Sequence, residues 1–164
     1  MRHIIEAARE VRRKFRGRDI FETAENCGAN VWFRELGGLK GFYISENEKR
    51  YIVINEQLDE VMSRVVCAHE LGHDMLHREL SAGGIRENTL FLHSNKTERE
   101  ANLFAAELLV SDKDILSELD YCDSAESLSC VLSLPVEIIM YKLEIMNREG
   151  YHFNVSSPDS GFLK

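Results

Sequence analysis

Apolar residues recur every three or four positions at the start of the chain and through most of its second half, a spacing typical of amphipathic helices. A helix over residues 2–15 gathers five of them on one side: Ile4, Ile5, Ala8, Val11 and Phe15. A shorter helix is predicted over residues 18–27, where Gly28 suits the end of a helix. Further helices are predicted over residues 97–110, 112–120, 124–131 and 135–148.

Three short extended runs precede the longest predicted helix. The runs cover residues 30–36, 41–45 and 50–54. Gly37-Gly38 and residues 46–49 separate them, and both separators suit hairpin connections. The pattern therefore predicts a small three-stranded antiparallel sheet, followed by a helix over residues 58–79 with Asn55 as its candidate N-cap.

Together these elements describe an α+β fold, a mainly helical single domain whose small sheet packs beside the long helix. The 164 residues are enough for one substantial hydrophobic core, and no internal repeat or linker divides them. We expect residues 1–150 to form this domain and residues 151–164 to form an irregular tail, in which residues 156–161 are mobile.

Composition and charge narrow the class of function. The net charge is −8, yet the first 18 residues hold seven basic residues against two acidic ones. An acidic body disfavours direct nucleic-acid binding, so none is expected; the basic first helix suits DNA or an acidic partner, or is simply a solvated face. No apolar run is long enough for a membrane span, and the first residues lack a secretory core. Four cysteines without C-x-x-C spacing are typical of reduced thiols in a cytoplasm.

The sequence His69-Glu70-Leu71-Gly72-His73 lies in the longest predicted helix, after an apolar segment. Residues four apart share a helix face, so His69 and His73 can present their imidazoles to one ion. Glu70 lies beside them, where its carboxylate can reach a water on that ion without binding the ion itself. Gly72 costs a helix about 1 kcal/mol relative to alanine, which a purely structural helix has little reason to bear. The motif predicts a zinc hydrolase.

A catalytic zinc ion usually takes three protein ligands, so a third ligand remains to be found. Asp74 points about 100° away from His73, and His77 lies about 12 Å from His69 along the helix axis. Both are therefore poorly placed. The next predicted helix offers three acidic candidates: Glu98, Glu100 and Glu107.

Glu98 is the preferred third ligand. Asn102 lies four residues later on the same face and can hydrogen-bond a ligand histidine, which orients the imidazole ring. Glu100 lies about 200° around the helix from Glu98. It would serve instead in a capping box with Thr97 at the start of this helix.

Several segments of the chain together resemble the ImmA/IrrE metallopeptidases. The central ones are Ile52-Val53-Ile54-Asn55, Ala68-His69-Glu70-Leu71-Gly72-His73 and Glu98-Arg99-Glu100-Ala101-Asn102-Leu103-Phe104-Ala105-Ala106-Glu107. The resemblance implies a zincin-like fold and a gluzincin-like site, with Zn²⁺ on His69, His73 and Glu98 and with Glu70 as the catalytic carboxylate. It also implies a protein substrate, either a helix-turn-helix repressor of a mobile element or a regulator of a DNA-damage response.

Three functions remain open. The first is a zinc endopeptidase, in which His93, Tyr43 or Tyr51 stabilises the oxyanion. An edge strand at residues 50–54 would hold its extended substrate, and the loop at residues 80–96 would close over the site. The second is a metal-stabilised binding module that inactivates a repressor without cutting it. This function would give the Glu70 carboxylate no role. The third is a zinc hydrolase of small molecules, which the resemblance disfavours.

Overall fold

A computed structural model of the chain describes residues 1–78, 95–154 and 163. Within those ranges the elements follow in this order: α1 (Arg2–Lys14), α2 (Ile20–Asn26), β1 (Asn30–Arg34), β2 (Gly41–Glu46), β3 (Lys49–Asn55), α3 (Glu60–His77), α4 (Asn95–Leu109), α5 (Asp112–Glu118), α6 (Ala125–Leu132) and α7 (Val136–Arg148). The predicted class, a mainly helical α+β fold with a three-stranded sheet, is confirmed. None of the described helices is long and apolar enough to cross a membrane.

The sheet is mixed, which corrects the predicted antiparallel pairing. Its order is β1-β3-β2, with β1 parallel and β2 antiparallel to β3. Residues 46–49 form the expected hairpin, whose turn residues Asn47 and Glu48 both have positive φ, as a two-residue turn of type I′ requires. The predicted hairpin at Gly37-Gly38 is wrong. Because β1 and β3 end on the same side of the sheet, the chain crosses over the end of β3 before it begins β2.

Asn55, the last residue of β3, holds this crossover in place. Its side-chain amide donates to the carbonyl oxygens of Gly37 and Leu39 at 3.0 and 2.9 Å. Its backbone N–H donates to the carbonyl oxygen of Lys40 at 2.9 Å. β3 is therefore the central strand, with both of its edges paired, and the prediction that residues 50–54 form an edge strand is wrong.

Two predicted helix starts also differ from the structure. The N-cap of α3 is Asp59, whose carboxylate accepts the backbone N–H of Met62 at 2.7 Å, because the Asn55 side chain is engaged in the crossover. α4 begins at Asn95, so Thr97 lies inside its first turn and does not cap it. Helices α1, α2, α5, α6 and α7 begin and end within two residues of their predicted bounds.

α3 lies between the sheet and α4. On the sheet side, a Cβ built on Gly41 would lie 2.5 Å from Val66 Cγ1, so β2 and α3 are in direct contact. Ile52 and Ile54 of β3 point toward the same face and are fully buried. Because side chains alternate along a strand, Tyr51 lies on the opposite face of the sheet.

A buried ionic cluster ties α1 and α7 to α4. Arg9 and Arg12 of α1 donate to the fully buried carboxylate of Glu107 at 2.8 and 3.2 Å. From the other side, Lys142 of α7 donates to the same carboxylate at 2.6 Å and also donates to Asp112 at the start of α5. The cluster fixes the helices without leaving an uncompensated buried charge, which would cost several kcal/mol.

Only part of the predicted tail is described. Residues 151–154 form neither helix nor strand, and Leu163 is buried in the core. The segment predicted to be mobile, residues 156–161, lies outside the described residues. The extent of the domain, residues 1–150, stays a prediction.

Candidate active site

His69 and His73 project from the same face of α3, one turn apart. Only 3% of each residue is exposed, and their Nε2 atoms lie 3.1 Å apart. The two rings meet edge to face, with their centroids 4.7 Å apart. The two nitrogens therefore face a common point, as the helical spacing predicts.

Glu98 of α4 brings a third possible ligand to this point. One carboxylate oxygen, Oε2, lies 3.5 Å from His69 Nε2, and the other, Oε1, lies 3.4 Å from His73 Nε2. When a tetrahedral zinc ion has bonds of 2.0–2.1 Å, its ligand atoms are about 3.3–3.4 Å apart. The three side chains therefore fit a zinc-sized ion in both chemistry and spacing. Among the described residues, this is the group whose ligand atoms lie close enough to share an ion.

Gly72 lets α4 approach α3 closely enough to deliver Glu98. A Cβ built on Gly72 would lie 3.1 Å from Ala101 Cα, 3.2 Å from Ala101 O and 3.3 Å from Phe104 Cβ. Those distances are tighter than ordinary van der Waals contact, and the nearest neighbour is the backbone of a packed helix. The glycine inside the motif is thus explained by helix packing.

Asn102 contacts His69 at the ring nitrogen that faces away from the other possible ligands. Its Oδ1 lies 2.8 Å from His69 Nδ1, and the residue is fully buried on α4, one turn after Glu98. An amide oxygen accepts only, so the proton of a neutral His69 belongs on Nδ1. This leaves the Nε2 lone pair directed at the metal position, which is the tautomer that a ligand histidine needs.

Glu70 supplies a carboxylate beside the possible ligands. It follows His69 directly on α3 and only 7% of the residue is exposed. Its helical position lies about 60° around the axis from His73, so it borders the group without belonging to it. The site therefore combines three possible metal ligands with a separate buried carboxylate.

The other acidic and imidazole candidates are engaged elsewhere. Asp74 turns toward the sheet, where Arg50 donates to it at 2.6 Å. His77 faces Glu100, with Nε2 and Oε2 3.5 Å apart, so Glu100 does not serve the helix cap. Glu107 lies in the ionic cluster. Within the described ranges, none of these residues belongs to the group of possible ligands.

The predicted oxyanion-stabilising residues are scattered. Tyr43 is buried on the α3 face of the sheet, and burial together with the neighbouring Asp74 carboxylate raises its pKa to about 12. Tyr51 lies on the opposite face, with its ring centroid 4.5 Å from that of Trp32. The structure therefore does not bring Tyr51 to the site. His93, and most of the loop predicted as a lid, lie outside the described residues.

Sequence reasoning missed Tyr141, a residue of α7 that reaches the site. It is fully buried, and its hydroxyl oxygen accepts the Asn102 Nδ2–H at 3.4 Å. Burial raises the pKa of Tyr141, while the hydrogen bond from Asn102 and the charge of Arg99 partly oppose that rise. The available signal was a tyrosine on the apolar side of a helix, where a buried hydroxyl needs a partner.

Fold and site together define a class of protein. A mainly helical α+β domain holds two histidines one turn apart on α3, a glutamate from α4, and the buried carboxylate of Glu70 next to the first histidine. This is the arrangement of a metal-dependent hydrolase of the H-E-x-x-H type.

Comparison with known proteins identifies the family within that class. The chain belongs to peptidase family M78, because the model of the IrrE N-terminal-like domain matches residues 24–144. It is 35% identical over 129 residues to metallopeptidase ImmA of Bacillus subtilis (strain 168), covering 76% of this chain and 75% of that protein. It is also 37% identical over 107 residues to the uncharacterized immunity region protein 2 of Bacillus phage phi105, covering 65% and 67%. The predicted resemblance to ImmA/IrrE peptidases is confirmed, and the family supports a metallopeptidase role with a protein substrate.

Proposed function

We propose that this protein is a zinc-dependent endopeptidase that cleaves a helix-turn-helix repressor. One observation carries the proposal: His69, His73 and Glu98 present ligand atoms 3.1–3.5 Å apart, beside the carboxylate of Glu70. Histidine nitrogen and carboxylate oxygen are common zinc ligands in hydrolases, and three protein ligands leave a fourth position open for chemistry. A purely structural zinc site would be closed by a fourth protein ligand.

The residues of the site have separate roles in peptide hydrolysis. Bound zinc would supply Lewis acidity, which lowers the pKa of a coordinated water toward 7 and polarises the scissile carbonyl. Glu70 accepts the proton of the attacking water and returns it to the departing amine nitrogen. Asn102 accepts the Nδ1–H of His69 and so keeps that ring oriented. Burial of His69 and Glu70 keeps bulk water away, which strengthens each of these interactions.

The substrate would bind in extended form along the free edge of β2. This strand pairs with β3 on one side and lies against α3, with Gly41 at Val66. The opposite edge pairs with no strand in the described part of the chain, so its backbone groups can add a substrate segment as a further strand. In this proposal β2 holds the extended substrate, the role that the sequence predicts for residues 50–54.

Three considerations support a repressor as the substrate. The resemblance to the ImmA/IrrE peptidases implies it, and a phage relative carries the name immunity region protein. The net charge of −8 would also attract a basic DNA-binding protein and would disfavour DNA itself. Such a substrate places the enzyme in the cytoplasm, where the free cysteines Cys27, Cys67, Cys122 and Cys130 would stay reduced.

Zinc content tests the proposed site. We expect one zinc per chain in the wild type, measured by elemental mass spectrometry after loading and desalting, and none in Glu98→Ala. Glu100→Ala is the matched control, because Glu100 lies on the same helix and faces His77 instead of the ligand group. A loaded wild type without zinc, or a loss of zinc through Glu100→Ala with retention in Glu98→Ala, would contradict the assignment.

A further inference from the structure

Tyr141 and His69 bind opposite ends of the same side-chain amide. Asn102 Oδ1 lies 2.8 Å from His69 Nδ1, while Asn102 Nδ2 donates to the hydroxyl oxygen of Tyr141 at 3.4 Å. Asn102 and Tyr141 are fully buried and His69 nearly so. A chain of contacts therefore runs from the middle of α7, through α4, to the metal position on α3.

The orientation of this amide decides which nitrogen of His69 carries the proton. A primary amide has an accepting end and a donating end. With Oδ1 toward His69, the imidazole proton belongs on Nδ1 and the Nε2 lone pair faces His73 and Glu98. If the amide were turned over, its NH₂ group would favour the proton on Nε2, where it would obstruct a metal ion.

The surroundings of Tyr141 hold its hydroxyl where the amide needs an acceptor. Arg99 lies beside the ring, with its guanidinium carbon 5.5 Å from the ring centroid. The guanidinium donates to both carboxylate oxygens of Glu144 at 2.5 Å, which links α4 to α7 around the tyrosine. With its ring held in this way, the tyrosine hydroxyl forms a hydrogen bond that restrains the Asn102 amide on the side away from His69.

We propose that Tyr141 is a positioning residue of the metal site. Its hydroxyl hydrogen-bonds the Asn102 amide and restrains it, so that Oδ1 stays against His69 Nδ1 and the imidazole stays oriented to bind metal through Nε2. The inference rests on the proposed zinc site and extends it to a residue on α7. A tyrosine that served only to fill the core would act through its ring, and its hydroxyl would have no effect on zinc binding.

Zinc affinity separates these two roles. We would measure Zn²⁺ dissociation constants by competition with a chromophoric chelator for the wild type, Tyr141→Phe, Asn102→Ala and the double variant. Loss of a residue that orients a ligand weakens metal binding about 10- to 100-fold, which we expect for Asn102→Ala. Tyr141→Phe should weaken it by about 3- to 10-fold, since the amide remains but loses the hydrogen bond from its Nδ2 to the tyrosine oxygen. The double variant should bind no more weakly than Asn102→Ala alone.

Ile145→Val is the matched control, because Ile145 is fully buried on the same helix and has no polar group to offer the site. Its zinc affinity should stay within about twofold of the wild type, even though the lost methyl lowers stability. Wild-type affinity in Tyr141→Phe, or an undiminished effect of Tyr141→Phe in the Asn102→Ala background, would overturn the inference and leave the zinc site standing. A wild type that binds no zinc would overturn both.

A measurement on the wild type alone gives a second test, independent of how the variants fold. Imidazole ¹⁵N chemical shifts of the metal-free protein report which nitrogen of His69 is protonated. We expect the proton on Nδ1, with Nε2 accepting from His73 across the 3.1 Å contact. A predominant Nε2–H tautomer of His69 would overturn the inference.

Discussion

Gly72 is the residue at which helix propensity and helix packing make opposite demands. Alanine would favour the helix by about 1 kcal/mol, yet its Cβ would press on the Ala101 backbone of α4 at 3.1 Å. α4 is held from its other sides by α1 and α7, so it cannot retreat without disturbing their packing. At this position packing outweighs propensity.

We therefore expect Gly72→Ala to lower the free energy of unfolding by about 1–3 kcal/mol, as overpacking usually does. Chemical denaturation of the variant and the wild type measures this difference in the free energy of unfolding. Gly38→Ala is the control, because a Cβ built there meets nothing within 4 Å and the residue lacks a positive φ. An unfolding free energy for Gly72→Ala equal to or above that of the wild type would refute this explanation of the glycine.

At the scale of single residues, the sequence predicts four of the side chains that the structure brings together, whereas the predicted Tyr51 lies on the opposite face of the sheet. His69 and His73 follow from helical spacing, and Glu98 and Asn102 follow from spacing within the next helix. Tyr141 did not follow, because it lies 39 positions from Asn102 and reaches it only when α7 packs on α4. A contact that depends on the packing of distant helices leaves no local pattern in the chain.

Among the secondary-structure elements, helices were easier to predict than sheet order. Each helix is set by local spacing of apolar residues, and most of the bounds agree within two residues. The parallel pairing of β1 with β3 depends on the crossover that Asn55 holds. The sequence position of Asn55 suits a helix cap as well as a strand end, and only the folded loop distinguishes the two roles.

The start of α5 is joined to α7 by the ion pair between Asp112 and the fully buried Lys142. Burial raises the pKa of Asp112, but the hydrogen bond and charge of Lys142 outweigh it and hold the pKa below its usual value. A carboxyl group whose pKa is lowered in the folded state stabilises that state above its unfolded pKa of about 3.9, and the stabilisation is lost as the pH falls through the folded pKa.

Asp112→Asn should therefore destabilise the protein at pH 7, by about 1–2 kcal/mol because the partly exposed carboxylate is screened by solvent. The difference from the wild type should shrink as the pH falls below about 4. Urea denaturation at pH 7 and at pH 3–4 measures the free energy of unfolding of variant and wild type, and so their difference at each pH. Asp120→Asn, an exposed position just after α5, controls for the loss of one charge. A difference that stays constant with pH would argue against the ion pair.

Over the whole molecule, the elements converge on α3. The sheet packs on one side of this helix and α4 on another, and α1 and α7 hold α4 through the ionic cluster. α1 lies outside the segment matched by the family model, yet Arg9 and Arg12 bind the helix that carries Glu98. The metal position is thus supported by most of the fold, which suits a site whose ligand atoms must be held within a few tenths of an ångström.

Glu70→Gln gives the most direct test of peptidase function. Zinc-loaded wild type and variant would each be incubated with a panel of purified helix-turn-helix repressors, and fragments would be identified by mass spectrometry. We expect the wild type to cut at a defined peptide bond. The variant should retain its zinc, because Glu70 is not in the ligand group, and lose about 10²- to 10⁴-fold in cleavage rate with its general base. Undiminished cleavage by Glu70→Gln, or repressor inactivation by the wild type without any fragment, would contradict a metallopeptidase mechanism centred on Glu70.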